Sequence, residues 1–244
     1  SLATWAGRFQ ALDRALHGVT PIELAATALR ALRDRNNLDT ALVDDVILGC
    51  VEPVAEQGAD IARVAALYAD YAQTASGVTV SRFCASGLEA CNQAAAAIMS
   101  GQSDLVVGGG VESMSRVPMG STGGGLDGNK PELVAMHPLV PQGISADLIA
   151  TLEGFTREDL DRFAAQSQER CAIAQKEGRF EKSLIPVRDP AGKVALDRDE
   201  FPRAGTSAES LAKLAPSFEG LGAYVPKGDT RTLDQRALSR YTQI

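Results

Sequence analysis

The chain has 244 residues, enough for one large domain or two small ones and for a sizeable buried core. Hydrophobic residues make up 45% and aromatic residues only 5% of it, and alanine and glycine are abundant, which favours helices packed on a sheet over an all-β sandwich. The net charge of −7 argues against a nucleic-acid-binding surface, because phosphate binding needs an excess of lysine and arginine. No apolar run approaches the ~20 residues that span a bilayer.

The four cysteines fit neither the spacing of metal ligands nor a dense disulfide framework; they are Cys50, Cys84, Cys91 and Cys171. We therefore predict no metal site. The N-terminal sequence SLATWAGRF lacks the basic flank and the apolar core of a signal peptide. A reducing, cytoplasmic setting is the expectation from this cysteine usage.

The first half of the chain alternates between helical and strand patterns. Thr20 and Glu23 form a capping-box pattern, and Pro21 suits the first position of a helix that is predicted to end near Asn36. The elements predicted next are a strand at 46–51, a helix at 60–69, a strand at 78–83, an alanine-rich helix at 88–99 and a strand at 105–111. This order predicts an α/β domain with a mainly parallel sheet.

The character of the sequence changes after Glu112. A glycine-rich stretch at 121–128 and several prolines predict a long irregular segment. The elements predicted beyond it are a helix beginning near Ser145, an amphipathic helix at 157–177 capped by Thr156, a short strand at 185–187 and a helix at 207–214. A stretch of this length with its own helices is expected to be an inserted subdomain.

Cys84 lies where the predicted strand at 78–83 turns into the predicted helix at 88–99. Its neighbours are small enough to let a substrate carbonyl approach the sulfur; they are Ala85, Ser86 and Gly87. A helix N-terminus favours thiolate over thiol through its unpaired N–H groups, which also suit a developing oxyanion. The pattern predicts a nucleophilic cysteine on a turn like the strand–turn–helix elbow of α/β hydrolases.

The pattern alone leaves a second interpretation of Cys84 open, that of a buried structural cysteine, because free cysteine is among the most buried residue types. Cys91 lies two helical turns further on and is expected to pack against the protein. Two histidines are candidates for a base: His17 is expected on the surface, and His137 lies in the irregular stretch. The glycine run at 108–110 lacks the spacing of a dinucleotide-binding motif and is expected to let the chain turn in a crowded interior.

Four separated motifs carry a resemblance to a known family. In chain order they are ALVDDVILGCV, SRFCASGLEACNQAAAAI, DLVVGGGVESMSRVPM, and EGRFEKSLIPV together with DEFPRAGTSAESLAKLAPSF. The second resembles the nucleophile segment of thiolases. The third resembles the GG(M/V)ESMS signature of that family, at the expected distance downstream. The resemblance covers nearly all of residues 17–220.

Thiolases consist of two similar α/β halves that form a layered α/β/α/β/α sandwich, with a loop domain inserted from the first half. The resemblance therefore implies a thiolase-like α/β/α sandwich half at 1–112, then a mainly helical loop domain and an irregular C-terminal stretch at 113–244. Cys84 inherits the role of acylated nucleophile, whose own N–H helps to form an oxyanion hole. The loop domain is implied to bind coenzyme A. The residues at matching positions are Arg203 at the nucleotide end, Ser210 and Leu214 beside it, and Leu133 and Gln142 in the pocket.

Two departures from the family pattern bear on function. Gln142 stands where many short-chain thiolases have a methionine, so the resemblance does not fix the acyl chain. After Phe218 the family soon reaches its second half, which supplies a water-holding asparagine, an activating histidine and a second cysteine. The chain instead runs from Gly222 to Ile244, so we expect the C-terminal half to be absent and residues 1–244 alone to lack turnover.

The resemblance implies an acyl-CoA C-acyltransferase that cleaves 3-ketoacyl-CoA with coenzyme A, or condenses acetyl-CoA units, through an acyl-enzyme on Cys84. Coenzyme A and acyl-CoA are the expected substrates, with no permanently bound cofactor. A homodimer or tetramer is expected, or a partner chain that supplies the C-terminal half. Two alternatives stay open: a non-catalytic thiolase-like subunit that binds acyl-CoA or scaffolds a partner, and a ketoacyl synthase, against which the GGVESMS segment and the long loop domain count.

Overall fold

The computed structural model describes residues 15–125 and 127–241. The chain divides into two compact units. The first contains the residues up to Gly123 together with Glu181–Phe201, and the second contains Gly124–Phe180 and the residues from Pro202 onward. The division at residue 112 into a nucleophile-bearing half and a loop domain stays a prediction, and its starting point at residue 1 lies outside the described residues.

The first unit is built on a three-stranded parallel sheet in the order β2-β1-β3. Its strands are β1 (Asp45–Gly49), β2 (Ser76–Val80) and β3 (Val106–Gly110), and its helices are α1 (Pro21–Asn36), α2 (Ile61–Tyr68) and α3 (Ser86–Met99). Alternation of side chains along β1 shows which helices cover which face. Val46 and Leu48 pack into the cluster formed with the alanines of α1 and α2, whereas Ile47 packs with Ala90 and Ala94 of α3. The result is an α/β/α layering, which confirms the predicted α/β class.

Helix α1 begins and ends as its sequence predicts. The hydroxyl of Thr20 accepts a hydrogen bond from the N–H of Glu23 at 3.3 Å, and Pro21 occupies the first helical position, where its missing N–H has no cost. At the other end Asn37 adopts a left-handed conformation with φ 48°, and its N–H bonds the carbonyl of Arg33. These local signals fix the length of the helix that covers one face of the sheet.

The predicted strand at 78–83 is displaced in the structure. Strand β2 spans Ser76–Val80, so the three residues before Cys84 have left the sheet, and α3 begins at Ser86 rather than at position 88. The physical reason lies at Phe83, whose φ of +48° is incompatible with an extended strand. The connection between strand and helix is consequently a tight turn.

A short hairpin completes the first unit although it lies far along the chain. It consists of β4 (Val187–Arg188) and β5 (Val194–Leu196), which pair antiparallel. Val187 is fully buried and packs with Val19 and Leu24 beside helix α1. Arg35 ties the approach to the hairpin to the same helix, because its guanidinium donates to the carbonyls of Lys182 and Leu184 at 2.9 and 2.8 Å.

The described part of the second unit is helical. Its helices are α4 (Pro131–Met136), α5 (Gln142–Glu153), α6 (Arg157–Lys176), α7 (Ala208–Leu211), α8 (Glu219–Gly222) and α9 (Leu233–Leu238). Helix α6 confirms the predicted element at 157–177, with a complete capping box from Thr156. Three details differ from prediction. Helix α4 stands in the stretch predicted to be irregular, with Pro131 at its start; α5 begins at Gln142 rather than near Ser145; and α7 is shorter than 207–214.

The C-terminal stretch, predicted to be irregular, packs against helix α5. Leu233 and Ala237 of α9 bury the side chain of Ile144, with Val140 and Leu148 at the edge of this cluster. An ion pair supports the same contact. The guanidinium of Arg236, only 7% exposed, donates to Asp229 at 2.8 Å and to the carbonyl of Leu139 at 3.2 Å.

Candidate active site

Cys84 lies in the turn between β2 and α3, two residues before the first residue of the helix. Its side chain is exposed, which excludes the alternative of a buried structural cysteine. Ala85 occupies the N-cap position and provides no side-chain cap, so the first turn of α3 is not covered by a neighbouring side chain from that position. The thiol is therefore open to solvent beside the N-terminus of a 14-residue helix, as its position in the sequence predicts.

A serine hydroxyl closes the turn that carries Cys84. The Oγ of Ser86 accepts a hydrogen bond from the N–H of Arg82 at 2.8 Å and donates to the carbonyl of Phe83 at 2.6 Å. Ser86 is 3% exposed, so its end of both bonds is buried, whereas Arg82 and Phe83 are exposed. From the sequence this serine is predicted only to be a small neighbour of Cys84, and its hydrogen bonds are not predicted; the signal for them is a serine at the start of a helix, where the hydroxyl commonly bonds the local backbone.

Glycines at the ends of two strands allow α3 to lie directly on the sheet. A Cβ at Gly49 would overlap the backbone of Ser86, and a Cβ at Gly110 would come within 2.9 Å of the carbonyl oxygen of Gly49 and 3.5 Å of Gly87. A Cβ at Gly108 would likewise come within 3.0 Å of the Cα of Cys91. The glycine run at 108–110 thus lies within β3 and serves close packing, rather than the turn that the sequence predicted.

The other cysteines lack this combination of exposure and position. Cys50 is buried, and desolvation together with the charge of Glu112 raises the pKa of its thiol to about 12. Cys91 has its backbone against the sheet but an exposed side chain, so its thiol does not pack as expected. Cys171 is half-buried in α6.

The histidines occupy different settings. His17 is partly buried, and its Nδ1 lies 3.2 Å from the hydroxyl of Ser115. Its carbonyl accepts from the guanidinium of Arg116, which also pairs with Glu56. His137 is exposed at the C-cap of α4 in the second unit. Of the two, only His17 belongs to the same unit as Cys84, and its Nδ1 is directed to Ser115.

A buried carboxylate network holds the loops that follow β1 and β3. Glu112 accepts from the N–H of Val51 at 2.6 Å and from the side-chain amide of Gln57 at 2.7 Å. Gln57 is fully buried, and its carbonyl oxygen accepts from the N–H of Ser113 at 2.6 Å. The family motif contains Glu112 but predicts no role for it, and Gln57 is not predicted at all, because a single glutamine between a strand and a helix carries no periodic signal.

Glu52 forms the second part of this network. It is 6% exposed and accepts from the N–H groups of Gly120 and Thr122 at 2.6 and 2.7 Å. Burial opposes its ionisation most strongly, but these hydrogen bonds outweigh burial and lower the pKa of the Glu52 carboxyl. The segment that follows β3 is thereby attached to the end of β1, next to the strand end where Ser81 contacts the carbonyl of Val51.

The five residues expected to bind coenzyme A all belong to the second unit. Arg203 is exposed, and its N–H is fixed by the side chain of Gln168 at 2.8 Å. The hydroxyl of Ser210 takes part in the capping box of α7: it donates to the carbonyl of Ser207 and accepts from the N–H of Ser207. Leu214 is 58% exposed. These hydrogen bonds fix the backbone at Arg203 and along α7, while the side chains of Arg203 and Leu214 stay accessible.

The remaining two are placed on different helices of the same unit. Leu133 lies on α4 and is 36% exposed, and Gln142 is the first residue of α5 and is exposed. The residue after Gln142 is packed tightly, because a Cβ at Gly143 would overlap the ring of Phe218. Gln142 therefore stands one residue before Gly143, the glycine that lets the Phe218 ring approach the backbone of α5.

An open cleft of ≈ 590 Å³ lies along α6 in the second unit. Arg162, Glu169 and Lys176 line one side, and residues 205–208 line the other. The cleft thus borders the turn that follows Arg203. Within residues 15–125 and 127–241, no group of three or more histidine, cysteine or carboxylate side chains is arranged to hold a metal ion. No helix of this described part is long and apolar enough to cross a membrane.

The described fold and site define an α/β protein with an accessible cysteine at a strand-to-helix turn. Residues 4–230 match the family model of the thiolase N-terminal domain. The chain is 40% identical over 222 residues to a 3-ketoacyl-CoA thiolase of Shewanella putrefaciens, covering 88% of the chain and 56% of that protein. It is 39% identical over 218 residues to a beta-ketoadipyl-CoA thiolase of Acinetobacter baylyi, covering 82% and 54%. The chain belongs to the thiolase family.

A solved structure agrees with this assignment. The crystal structure of the Bacillus anthracis acetyl-CoA acetyltransferase superimposes with a TM-score of 0.70 at 34% identity, covering 83% of this chain and 54% of that one. The chain thus spans about half the length of the relatives that it matches. The sequence-based recognition of the family and of its α/β fold is confirmed.

Proposed function

We propose that this chain supplies the nucleophile and the coenzyme A site of an acyl-CoA C-acyltransferase. The observation that carries the proposal is the exposed thiol of Cys84 beside the N-terminus of α3, on a turn held by Ser86. Exposure lets an acyl-CoA reach the sulfur, and backbone N–H groups at a helix start suit the negative charge that develops on a carbonyl oxygen.

In the cleavage direction the sulfur of Cys84, as thiolate, attacks the 3-keto carbon and forms a carbon–sulfur bond, while the carbonyl electron pair moves to oxygen. Collapse of this adduct breaks the bond between carbons 2 and 3, and carbon 2 receives a proton, so that acetyl-CoA leaves. A second coenzyme A, after losing its thiol proton, attacks the thioester and releases the shortened acyl-CoA. Covalent catalysis divides a difficult bond cleavage into two easier steps. No redox change occurs, so no permanently bound cofactor is needed.

We further propose that coenzyme A binds the second unit through Arg203 at its nucleotide end and beside Ser210 and Leu214. The exposed guanidinium of Arg203 suits a phosphate-bearing ligand, and the accessible Leu214 suits the apolar part of its arm. Leu133 and Gln142 are proposed to line the pocket, with Gln142 in place of a methionine. Because the Ser210 hydroxyl is engaged in the cap of α7, its proposed contact uses the remaining lone pair or its methylene.

The proposed organisation assigns residues 1–112 to the nucleophile-bearing half and 113–244 to the loop domain and C-terminal stretch. A homodimer or tetramer, or a second chain bearing the C-terminal thiolase half, is proposed as the partner. A cytoplasmic location is proposed from four free cysteines. Exposed apolar side chains on and beside α3 support a covered surface in the assembly: Phe83 and Leu88 lie near Cys84, and Ile98 and Met99 lie at the other end of the helix.

Acylation of the assembled enzyme by acetyl-CoA tests the proposal. Intact mass should increase by one acetyl group, and peptide mapping should place it on Cys84. Cys84→Ser should remove the stable thioester, whereas Cys171→Ser, a matched change in a half-buried helix position, should retain it. Specific binding of acetyl-CoA without any mass increase would instead favour the non-catalytic subunit.

A further inference from the structure

The hydroxyl of Ser86 links the two residues that precede the nucleophile. It accepts from the N–H of Arg82 and donates to the carbonyl of Phe83, so it closes the turn at residues 82–86, which contains Cys84. A helix cap would instead accept from N–H groups inside the helix, and here the N-cap position belongs to Ala85. The hydroxyl therefore acts on the nucleophile turn and not on the free donors of α3.

The turn needs this support because its backbone is strained. Phe83 has a φ of +48°, a region that bulky side chains rarely occupy. Phe83 is also 64% exposed, so within this chain the packing of its ring does not hold the turn. The carbonyl of Phe83 instead receives two hydrogen bonds, one from the N–H of Ser86 at 3.0 Å and one from its hydroxyl at 2.6 Å.

Ser86 itself is fixed by the sheet. Its backbone lies against Gly49 at the end of the central strand, so closely that a Cβ at Gly49 would overlap it. The sheet thus holds the backbone of Ser86, and the side chain of Ser86 holds the turn. These contacts connect the central strand of the sheet to the turn that carries the thiol.

We propose that Ser86 is a positioning residue for acyl transfer, which fixes the direction in which the Cys84 sulfur meets the acyl carbon. The inference rests on the proposed function, since it assumes that Cys84 is acylated. In the step concerned, the sulfur forms a bond to the carbonyl carbon of acetyl-CoA while the bond from that carbon to the coenzyme A sulfur breaks, and the leaving thiolate takes a proton. Such a displacement depends steeply on alignment, whereas alkylation of an exposed thiol by a small reagent does not.

The test compares Ser86→Ala with Ser100→Ala in the full-length enzyme. Ser100 provides a matched control, because its hydroxyl donates to a local carbonyl at the far end of the same helix and is exposed. Three quantities are measured: the rate of Cys84 acetylation by acetyl-CoA, the rate of Cys84 alkylation by iodoacetamide, and Tm. For Ser86→Ala we expect acetylation to fall about 100-fold, as a displacement near 1 Å would cause. Alkylation should stay close to wild type and Tm should fall by only a few degrees, as the loss of two local hydrogen bonds would cause, and Ser100→Ala should change none of the three.

Ser86→Cys provides a second variant of nearly the same shape that retains only a weak donor and acceptor. Fragment-ion mapping separates its new thiol from Cys84, and we expect an acetylation rate between those of wild type and Ser86→Ala. Equal losses of acetylation, alkylation and Tm would indicate a purely structural serine and overturn the inference. Wild-type acetylation in both Ser86 variants would do the same. If wild type itself were not acetylated, the proposed function would fail first and this inference with it.

Discussion

Gly49, at the end of the central strand, lies in direct contact with the backbone of Ser86, at the start of the helix that follows the nucleophile. No side chain fits between them. The position of Cys84 relative to the sheet is therefore set by a glycine 35 positions earlier in the chain, which connects the GCV end of the first buried strand with the proposed nucleophile.

Gly49→Ala is predicted to destabilise the first unit. The added methyl group meets backbone atoms, which cannot rotate away as a side chain would, so overpacking should cost about 3 kcal/mol or more. Thermal unfolding followed by circular dichroism checks this. Gly18→Ala is the control, because a Cβ at Gly18 meets no atom within 4 Å. Equal Tm values for the two variants would contradict the close approach.

The rate of alkylation by iodoacetamide should differ among the four cysteines according to their exposure. Cys84 is expected to be the fastest to react in the assembled enzyme, because it is exposed on an open turn beside a helix N-terminus. Cys50 should stay unmodified at pH 7–9, since burial and Glu112 raise the pKa of its thiol to about 12. Peptide mapping of the alkylated protein measures the order. Faster labelling of Cys91 or Cys171 in the folded protein would count against Cys84 as the nucleophile.

The same thiol gives a stability prediction in alkali. In the unfolded chain Cys50 ionises near its ordinary pKa of 9.0, but in the folded protein it stays protonated to about 12. Ionisation therefore favours the unfolded chain as pH rises above about 9, and the free energy of unfolding should fall. In Cys50→Ala this alkaline decline should be shallower. Denaturant unfolding at pH 7 and pH 10 provides the comparison.

Glu52→Gln is predicted to destabilise the loop after β3 by about 1 kcal/mol, because an amide group offers one acceptor oxygen to the two partly buried N–H donors and turns its own N–H₂ toward the second of them. Since hydrogen bonds lower the pKa of Glu52 in the folded state, its contribution is present above its ordinary pKa of 4.5 and is lost as pH falls through the lower folded value. The variant should thus lose less stability on acidification than wild type. Glu153→Gln, at an exposed helix end, is the control. If the free energy of unfolding fell equally with decreasing pH in Glu52→Gln and in wild type, this role of Glu52 would be refuted.

Arg203→Ala in the full-length enzyme is predicted to raise KM for coenzyme A and to leave kcat largely intact. The exposed guanidinium is assigned to the nucleotide end, remote from the reacting carbonyl, so its loss weakens ground and transition states equally. Arg198→Ala removes an exposed arginine that pairs with its neighbour Asp197 and serves as the control. A collapse of kcat at unchanged KM would show that Arg203 is misplaced.

The sequence predicted the α/β class, the helix that begins at Pro21, the helix at 157–177 and the place of Cys84 between a strand and a helix, because each depends on local signals or on family motifs. Capping residues and helical periodicity are properties of short segments, and Thr20 and Thr156 act as their patterns predict. The chain order of strands and helices was also sufficient to indicate a parallel sheet.

The departures from prediction have a common physical origin in tertiary contacts. Strand β2 ends early because Phe83 adopts a positive φ that no residue pattern at 78–83 encodes. The C-terminal stretch folds because Leu233 finds an apolar partner on α5, nearly a hundred residues away in the chain. The Gln57–Glu112 contact likewise joins two loops, so neither residue alone signals a buried network.

The hairpin at 187–196 has a consequence for synthesis of the chain on the ribosome. Val187 covers Val19 and Leu24. The apolar surface beside α1 therefore stays uncovered until the ribosome has synthesised Val187, on the order of ten seconds later. The intervening residues 124–180 belong to the other unit and are made in that interval. A nascent chain that stalls before position 187 therefore leaves the apolar side chains of Val19 and Leu24 without this cover.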